Sequence, residues 1–267
     1  MSATVFLGGG RITSALVAGL RGSGFRGPIV VCDRNAKKLR QLRRTVGVHP
    51  ETDLRRAAAQ ASLLLVAVRP PDVLPLLSKI DVLPFEAVLV SLAAGVPLRA
   101  LGRALPAHTG AVRNRLARAM PSPACRTGHG LTALAFGRGM PPAARHRVRR
   151  FFKRVGEVVE IPEREFDAFT VAYSTSQGLH ALGARIRAAQ KIGLSRRSAI
   201  IAAAHGLVAG LHGVDTVDSL ADLLSEAATP GGIAGKVMAV MRAEGYDRAI
   251  ERAFRAGLTR ARHVGRM

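Results

Sequence analysis

The sequence predicts two domains of different class: an α/β domain on a parallel sheet, residues 1–161, then an all-α domain, residues 162–267. Three observations predict this. Short apolar, β-branched runs alternate with amphipathic helical patterns through the first half, as strands and crossover helices do. A glycine-rich turn, Gly8-Gly9-Gly10, joins the first such run to the first helix. Beyond Pro162 strand-like runs cease and Ala-rich helical patterns take over. The 267 residues suffice for two domains, and 48% apolar content supports substantial cores.

Taken in order, Thr4-Val5-Phe6-Leu7 is a strand, and the helical pattern that includes Ala15, Leu16, Val17 and Leu20 follows Gly8–Thr13. Gly8 suits a tight turn, and Gly10 lets backbone approach a pyrophosphate at the helix start. The third glycine of G-x-G-x-x-G is replaced by Thr13, so taken alone the turn also fits an ordinary strand-to-helix connection. Ile29–Cys32 reads as the second strand and Ala36–Val46 as a helix. Asp33 lies about 20 residues past the turn, where a Rossmann fold places its ribose-binding acid. Arg34, Lys37 and Lys38 follow it, and such a cationic cluster suits a 2′-phosphate, pointing to NADP; a solvated basic helix start would look the same.

A polar segment with Pro50 and a helix over Leu54–Ala61 lead to the strand Leu63–Val68, whose continuous apolar run suits burial on both faces. Arg69-Pro70-Pro71 ends it, a helix spans Val73–Lys79, and Val88–Leu92 is the next strand, closed by Ala93-Ala94-Gly95. Ligands of such sheets gather at the carboxyl ends of strands. Gly8–Ile12, Asp33–Arg34, Val68–Pro70 and Ala93–Gly95 would share that edge. Three more strands are predicted over Ala111–Arg115, Leu131–Phe136 and Glu157–Ile161, with a basic helix, Pro142–Val155, before the last. Helices then occupy Phe166–Lys191, Ser198–Leu211, Ser219–Ala227, Ile233–Ala243 and Tyr246–His263, a bundle suited to a substrate cleft or a dimer interface.

The balance of 40 basic against 18 acidic residues, net +22, invites a polyanionic partner. Yet the arginines are dispersed, there are two Tyr and no Trp, and no helix-turn-helix, zinc-finger or RNA-recognition signature accompanies them. The pattern argues against dedicated nucleic-acid binding. Cys32 and Cys125 sit in no metal-ligand or C-x-x-C pattern, so neither a metal site nor a disulfide scaffold is expected. With no signal peptide pattern and no membrane-length apolar run, a cytoplasmic setting without membrane association is expected.

Several motifs together resemble the pyrroline-5-carboxylate reductase family over nearly the full length. The family's G-x-G-N-M-G turn is matched by Gly8-Gly9-Gly10-Arg11-Ile12-Thr13, and its A-V-K-P by Ala67-Val68-Arg69-Pro70. Its S-x-A-A-G is Ser91–Gly95, and M-P-N-T-P followed by G-x-G-x-T-A-L is Met120–Ala124 followed by Gly128–Leu134. S-P-G-G-T-T is Thr229-Pro230-Gly231-Gly232-Ile233-Ala234. The resemblance implies a Rossmann NADP-binding domain and a helical dimerisation and substrate domain. It implies hydride transfer to a cyclic imine, giving proline in that family, in a homodimer or higher oligomer with its site near the subunit interface. It also places Gly8, Gly9, Gly10, Arg11, Ile12, Val68, Arg69, Pro70, Ala93, Ala94, Gly95 and Ser122 against the cofactor.

Departures fall where the substrate should sit. The family's paired threonines after P-G-G, which grip the substrate carboxylate, are Ile233 and Ala234. S-G-S-G-P-A-Y becomes Tyr173–Leu179, the asparagine of M-P-N is Ser122, a nucleotide-holding asparagine is Leu54, and Gln-Thr on a middle helix is His205-Gly206. An apolar pair cannot donate to a carboxylate. Two readings remain: a reductase of a different imine, which is favoured, or a cofactor-binding member with little catalysis, a sensor or scaffold. For the first, Thr175, Ser176, Gln177, Gly231 and Gly232 are the candidate substrate-binding residues. Tyr173 and Thr229 are the candidate catalytic residues. A phenol is a usable acid for an imine nitrogen; a packed tyrosine with a satisfied hydroxyl is the alternative.

Overall fold

The computed structural model describes residues 3–208, 217–229 and 231–264. It divides into two compact units: the described residues of Met1–Tyr173 and Gly257–Met267 form one, and those of Ser174–Ala256 the other. The textural change at 161/162 thus precedes the division between units, because one further helix stays with the sheet.

The sheet unit alternates as predicted. Its elements are β1 (Ala3–Leu7), α1 (Arg11–Gly22), β2 (Ile29–Cys32), α2 (Ala36–Val46), β3 (His49–Glu51), α3 (Leu54–Ala59) and β4 (Ala61–Val66). There follow α4 (Pro70–Leu77), β5 (Val88–Ser91), α5 (Leu98–Ala104), α6 (Gly110–Arg113) and β6 (Leu116–Pro121). Finally come β7 (Gly130–Phe136), α7 (Pro142–Lys153), β8 (Gly156–Glu160) and α8 (Glu163–Ala172). The strands form one sheet in the order β3-β2-β1-β4-β5-β6-β7-β8.

Local chemistry sets several boundaries. Asn35 starts α2 by accepting from the Lys38 N–H, and Asp53 starts α3 by accepting from Arg55 and Arg56. Gly47, at φ 66°, ends α2 in the left-handed conformation. Both faces of the sheet are covered. Phe6, Leu16, Leu20, Leu65 and Phe152 belong to one apolar core; Val5, Leu64, Val66, Leu77 and Leu101 belong to the other.

Several sequence expectations are corrected, among them the strand over Leu63–Val68, which begins two residues earlier, at Ala61. The sheet is not wholly parallel, since β7 runs antiparallel to β6. The polar His49-Pro50-Glu51 is a strand: it lies at the sheet edge and pairs only with β2, where a proline is tolerated. Helix α5 went unpredicted. The strand expected over Ala111–Arg115 is instead helix α6 and a turn, and the strand lies just beyond it.

The shift arises from Arg118, a charge in the middle of β6 that breaks the apolar pattern. It is 1% exposed, 2.6 Å from Asp167 and 3.9 Å from Glu163 on α8, and its guanidinium lies 4.1 Å over the Phe166 ring. Its Nε has no hydrogen-bond partner. Glu163 also accepts from the Leu98 N–H at 2.5 Å, tying α8 to the start of α5. A buried charge so matched is costly to unmatch.

The helical unit holds α9 (Thr175–Lys191), α10 (Arg196–Val208), α11 (Val217–Ala227), α12 (Ile233–Ala243) and most of α13 (Tyr246–Val264). The single helix predicted over Phe166–Lys191 is broken at Tyr173-Ser174 into α8 and α9. Of the helix predicted over Ser198–Leu211, residues 209–211 lie outside the described residues, as does Pro230.

Candidate functional site

The parallel register aligns the ends of four strands. Leu7 pairs with Cys32 on one side and Val66 on the other, and Val66 pairs with Ser91. The segments that follow, Gly8–Ile12, Asp33–Arg34, Ala67–Pro70 and Leu92–Gly95, therefore emerge along one edge, as expected for a ligand-binding edge of such a sheet.

The turn after β1 needs glycine for stated reasons. Gly8 has φ 108°, and a Cβ there would lie 2.7 Å from the Ala67 carbonyl oxygen. Its N–H donates to the Cys32 carbonyl at 2.7 Å. Around Gly10, by contrast, a Cβ would meet nothing within 4 Å, so the space over the start of α1 is open. That start has no side-chain cap and no acid in its first turn. Its free N–H groups and positive dipole end suit an anion.

Thr13 explains the imperfect glycine motif. It is buried, and its hydroxyl donates to the Gly8 carbonyl at 2.6 Å, bracing the turn from the first turn of the helix. A residue that sequence reading counts as a defect is a brace.

Asp33 is bound inward. Its carboxylate accepts from Gly9 N–H at 2.8 Å, Asn35 N–H at 2.9 Å and Lys38 Nζ at 3.1 Å. Burial pushes its carboxyl up, but the hydrogen bonds from Asn35, Gly9 and Lys38 outweigh that and hold it below the usual carboxylate range. Lys38 is thereby removed from the cationic cluster. Arg34 and Lys37 are exposed and make no ion pair among the described residues. Arg11, at the first position of α1, is exposed too.

The other cofactor-side residues divide between packing and exposure. Val68 packs beside Gly8, its Cγ1 3.2 Å from where a Cβ would sit. Arg69 is exposed and 3.7 Å from Asp72, with Pro70 opening α4. The Ala93 N–H donates to the Ser91 hydroxyl oxygen at 3.3 Å, and Gly95, at φ 76°, turns the chain beyond Ala94. Ser122 is buried beyond the end of β6.

The candidate substrate and catalytic residues fare differently. Tyr173 donates to the Leu131 carbonyl at 2.9 Å and accepts from the Leu131 N–H at 3.2 Å, while its ring lies 5.4 Å from that of Phe169, tilted by 42°. The phenol donates its proton to a backbone carbonyl here and so pins the end of α8 to β7. Thr175 and Ser176 are exposed at the start of α9, with Ser176 2.7 Å from the Ser174 hydroxyl, and the Gln177 N–H donates to the Ser174 carbonyl at 3.0 Å. In the helical unit the Gly232 N–H donates to the Thr229 carbonyl at 3.0 Å, and Gly231 has φ 76°. The resulting turn delivers α12, whose first residue, Ile233, is 89% exposed.

Similarity to known proteins follows the same division. Residues 4–95 match the family model described as NADP oxidoreductase coenzyme F420-dependent, and residues 163–264 match pyrroline-5-carboxylate reductase dimerisation. A pyrroline-5-carboxylate reductase of Thermus thermophilus is 30% identical over 271 residues, covering 97% of both chains. One of Mycobacterium tuberculosis is 29% identical over 296 residues, covering 99% of this chain and 97% of that one. The crystal structure of Plasmodium falciparum pyrroline carboxylate reductase with NADP bound superposes with TM-score 0.87 at 18% identity, covering 98% of each chain. On this combination of sequence and fold, the chain belongs to the pyrroline-5-carboxylate reductase family.

Proposed function

We propose that this protein is an NADPH-dependent reductase of the C=N bond of a cyclic imine whose substrate is less dependent on a carboxylate than pyrroline-5-carboxylate is. The coarser part comes with the family: an oxidoreductase acting on C=N with NADP, in a homo-oligomer. The residues of the sheet edge fit that cofactor. The open space over Gly10 and the uncapped start of α1 suit a pyrophosphate, and the exposed Arg34 and Lys37 suit a 2′-phosphate. When bound, NADPH supplies the hydride. The chain's own residues hold and orient it, with Gly8–Ile12, Val68–Pro70 and Ala93–Gly95 as the proposed contacts. With the Tyr173 proton engaged, the imine is proposed to enter already protonated, and Thr229, Thr175, Ser176 and Gln177 to orient it near a subunit interface. The reaction is proposed for the cytoplasm, in keeping with two free, buried cysteines.

The observation that carries the substrate reading is the start of α12. Ile233 and Ala234 occupy the positions where the family resemblance places two hydroxyls, and Gly232 before them brings no side-chain cap. A carboxylate there loses both of those hydroxyls and keeps backbone donors and the Thr229 hydroxyl, which lies beside Gly232. Each missing hydrogen bond to a charged group costs about 1.5–3 kcal/mol. Assayed side by side with NADPH, 1-pyrroline is expected to exceed pyrroline-5-carboxylate in kcat/KM by about tenfold or more. Efficient proline formation, with 1-pyrroline the poorer substrate, would overturn the substrate reading. NADPH binding with no turnover of either imine would instead leave the cofactor-binding scaffold.

A further inference from the structure

The sheet unit has a second concave surface, on the edge opposite the glycine turn. Thr4 near the start of β1, Pro28 just before β2 and Ser62 at the start of β4 border a cavity of about 330 Å³. Its opposite wall is the last turns of α7 and the residue after it, which bring in Arg147, Arg150, Phe151 and Arg154, with Phe25 beside them. No carboxylate lines it. Along β1 it is about 13 Å from the Gly8 turn, at a strand rise of about 3.3 Å per residue.

Helix α7 supplies its own control. Arg149 is ion-paired with Glu160, and Lys153 lies 2.6 Å from Glu157. The arginines of the cavity are not matched in this way. Arg147 donates to the Ser62 and Glu86 carbonyls at 3.3 and 3.0 Å, and Arg154 lies 5.5 Å over the Phe25 ring. The Arg150 side chain makes no hydrogen bond or ion pair with any described residue. Like charges three and four residues apart on a helix repel, so this row is unfavourable until an anion enters. The wall is also preformed. Arg21 donates to the Phe25 and Gly27 carbonyls at 2.9 and 3.0 Å, fixing the loop that carries the ring.

We propose that this cavity is an anion-binding site for a compact phosphate-bearing small molecule, a phosphomonoester or a diphosphate. Arg150 and Arg154 grip the phosphate, Arg147 adds its field, and Phe25 and Phe151 take up the apolar remainder. The volume lies at the lower end for small-ligand sites, which favours a compact anion over a dinucleotide. Arginine forks suit phosphate oxygens, which they can hold bidentately. The assignment is independent of the cofactor reading.

The test is an amide NMR titration of the full chain with inorganic pyrophosphate and with glycerol 3-phosphate. NADPH is saturating and ionic strength is held constant with sodium chloride. Saturable shifts are expected at Phe25, Gly27, Ser62 and Phe151. The Arg150→Gln/Arg154→Gln variant should weaken the apparent Kd by about tenfold or more while NADPH titration by fluorescence stays unchanged. Arg150→Gln alone, at an exposed position, should give part of the loss and guards against a folding defect in the double variant. Shifts confined to Gly8–Ile12 and Arg34–Lys37, or shifts that never saturate, would overturn the site. A single-stranded RNA oligomer that outcompetes pyrophosphate with steep salt dependence would overturn the small-molecule assignment in favour of an extended polyanion surface.

Discussion

The sheet unit and the helical unit solve the same problem, hiding apolar surface, in opposite ways. The sheet unit closes on itself: both faces of its strands are covered, and even a charge, Arg118, is buried with carboxylate partners on α8. The helical unit does not close. Helices α9 and α12 contain no buried residue, and α10 buries only Ala199 and Ala203. Leu179, Ile201, Leu224, Val237 and Ile250 are all at least 40% exposed. Among the described residues, no helix is long and apolar enough to cross a membrane. Large exposed apolar surface marks an interface. In a family whose matching segment is named for dimerisation, a second copy of the chain is the natural cover. One unit is a finished fold; the other is half of one.

The largest effect that would break this comparison is a matched pair of truncations. Phe152 is fully buried and meets Phe151 edge-on at 5.1 Å. Phe152→Ala should cost about 3–5 kcal/mol by chemical denaturation, read at a fixed protein concentration. Val237→Ala, at a position 53% exposed in the single chain, should barely change the unfolding of a dilute monomer. It should instead raise the concentration at which the oligomer dissociates in analytical ultracentrifugation. Equal losses of monomer stability for both variants would mean that the helical unit has a core of its own after all.

A smaller effect sharpens the account of the sheet unit as a preformed cradle. Arg34 and Lys37 make no ion pair among the described residues, whereas Lys38 is bound to Asp33. Replacing Arg34 and Lys37 with alanine should lower the preference for NADPH over NADH by about tenfold, measured by nicotinamide fluorescence, with the unfolding midpoint unchanged. Lys38→Ala should do the reverse, loosening the turn more than it alters cofactor preference. If Lys38→Ala alone abolished the preference, the assignment of these three cations would be inverted.

How much of this was legible in the sequence follows the same divide. The apolar run of β2 and the helical pattern of α2 marked those elements to the residue, because β2 is buried throughout and α2 buries one stripe between the Asn35 cap and Gly47. Strand β6 was displaced because its pattern is interrupted by Arg118, and no local rule says that a charge five residues from Arg113 will find Asp167 across the fold. The single helix expected over Phe166–Lys191 hid a break, since Tyr173 satisfies its hydroxyl on Leu131, a contact over 42 residues of chain. Thr13 was read as a missing glycine although its hydroxyl holds the Gly8 carbonyl. The candidate cofactor residues sit in contiguous turns, so local patterns suffice to nominate them. The candidate substrate residues belong to turns of an open helical unit, where the sequence offers hydroxyls but no rule for what faces them.

The smallest effect tests the turn itself. Asp33 has a folded-state pKa held below its unfolded value: burial raises it, and the donors Asn35, Gly9 and Lys38 more than reverse this. A group with a depressed folded pKa contributes stability that is complete well above its unfolded value. That contribution is lost as pH falls from there through the folded value. For a carboxylate the loss therefore begins below about pH 5 and deepens through about pH 4 and lower. Asp33→Asn removes the titration. Its unfolding free energy should lie below that of the parent at neutral pH, and the gap should narrow as the solution is acidified. The titration is local to the Gly9 turn, so the acid-induced change should appear first in the amide exchange of Gly8–Thr13 and not in α9 or α12. A constant gap between variant and parent across that range would show that Asp33 does not anchor the turn through its charge.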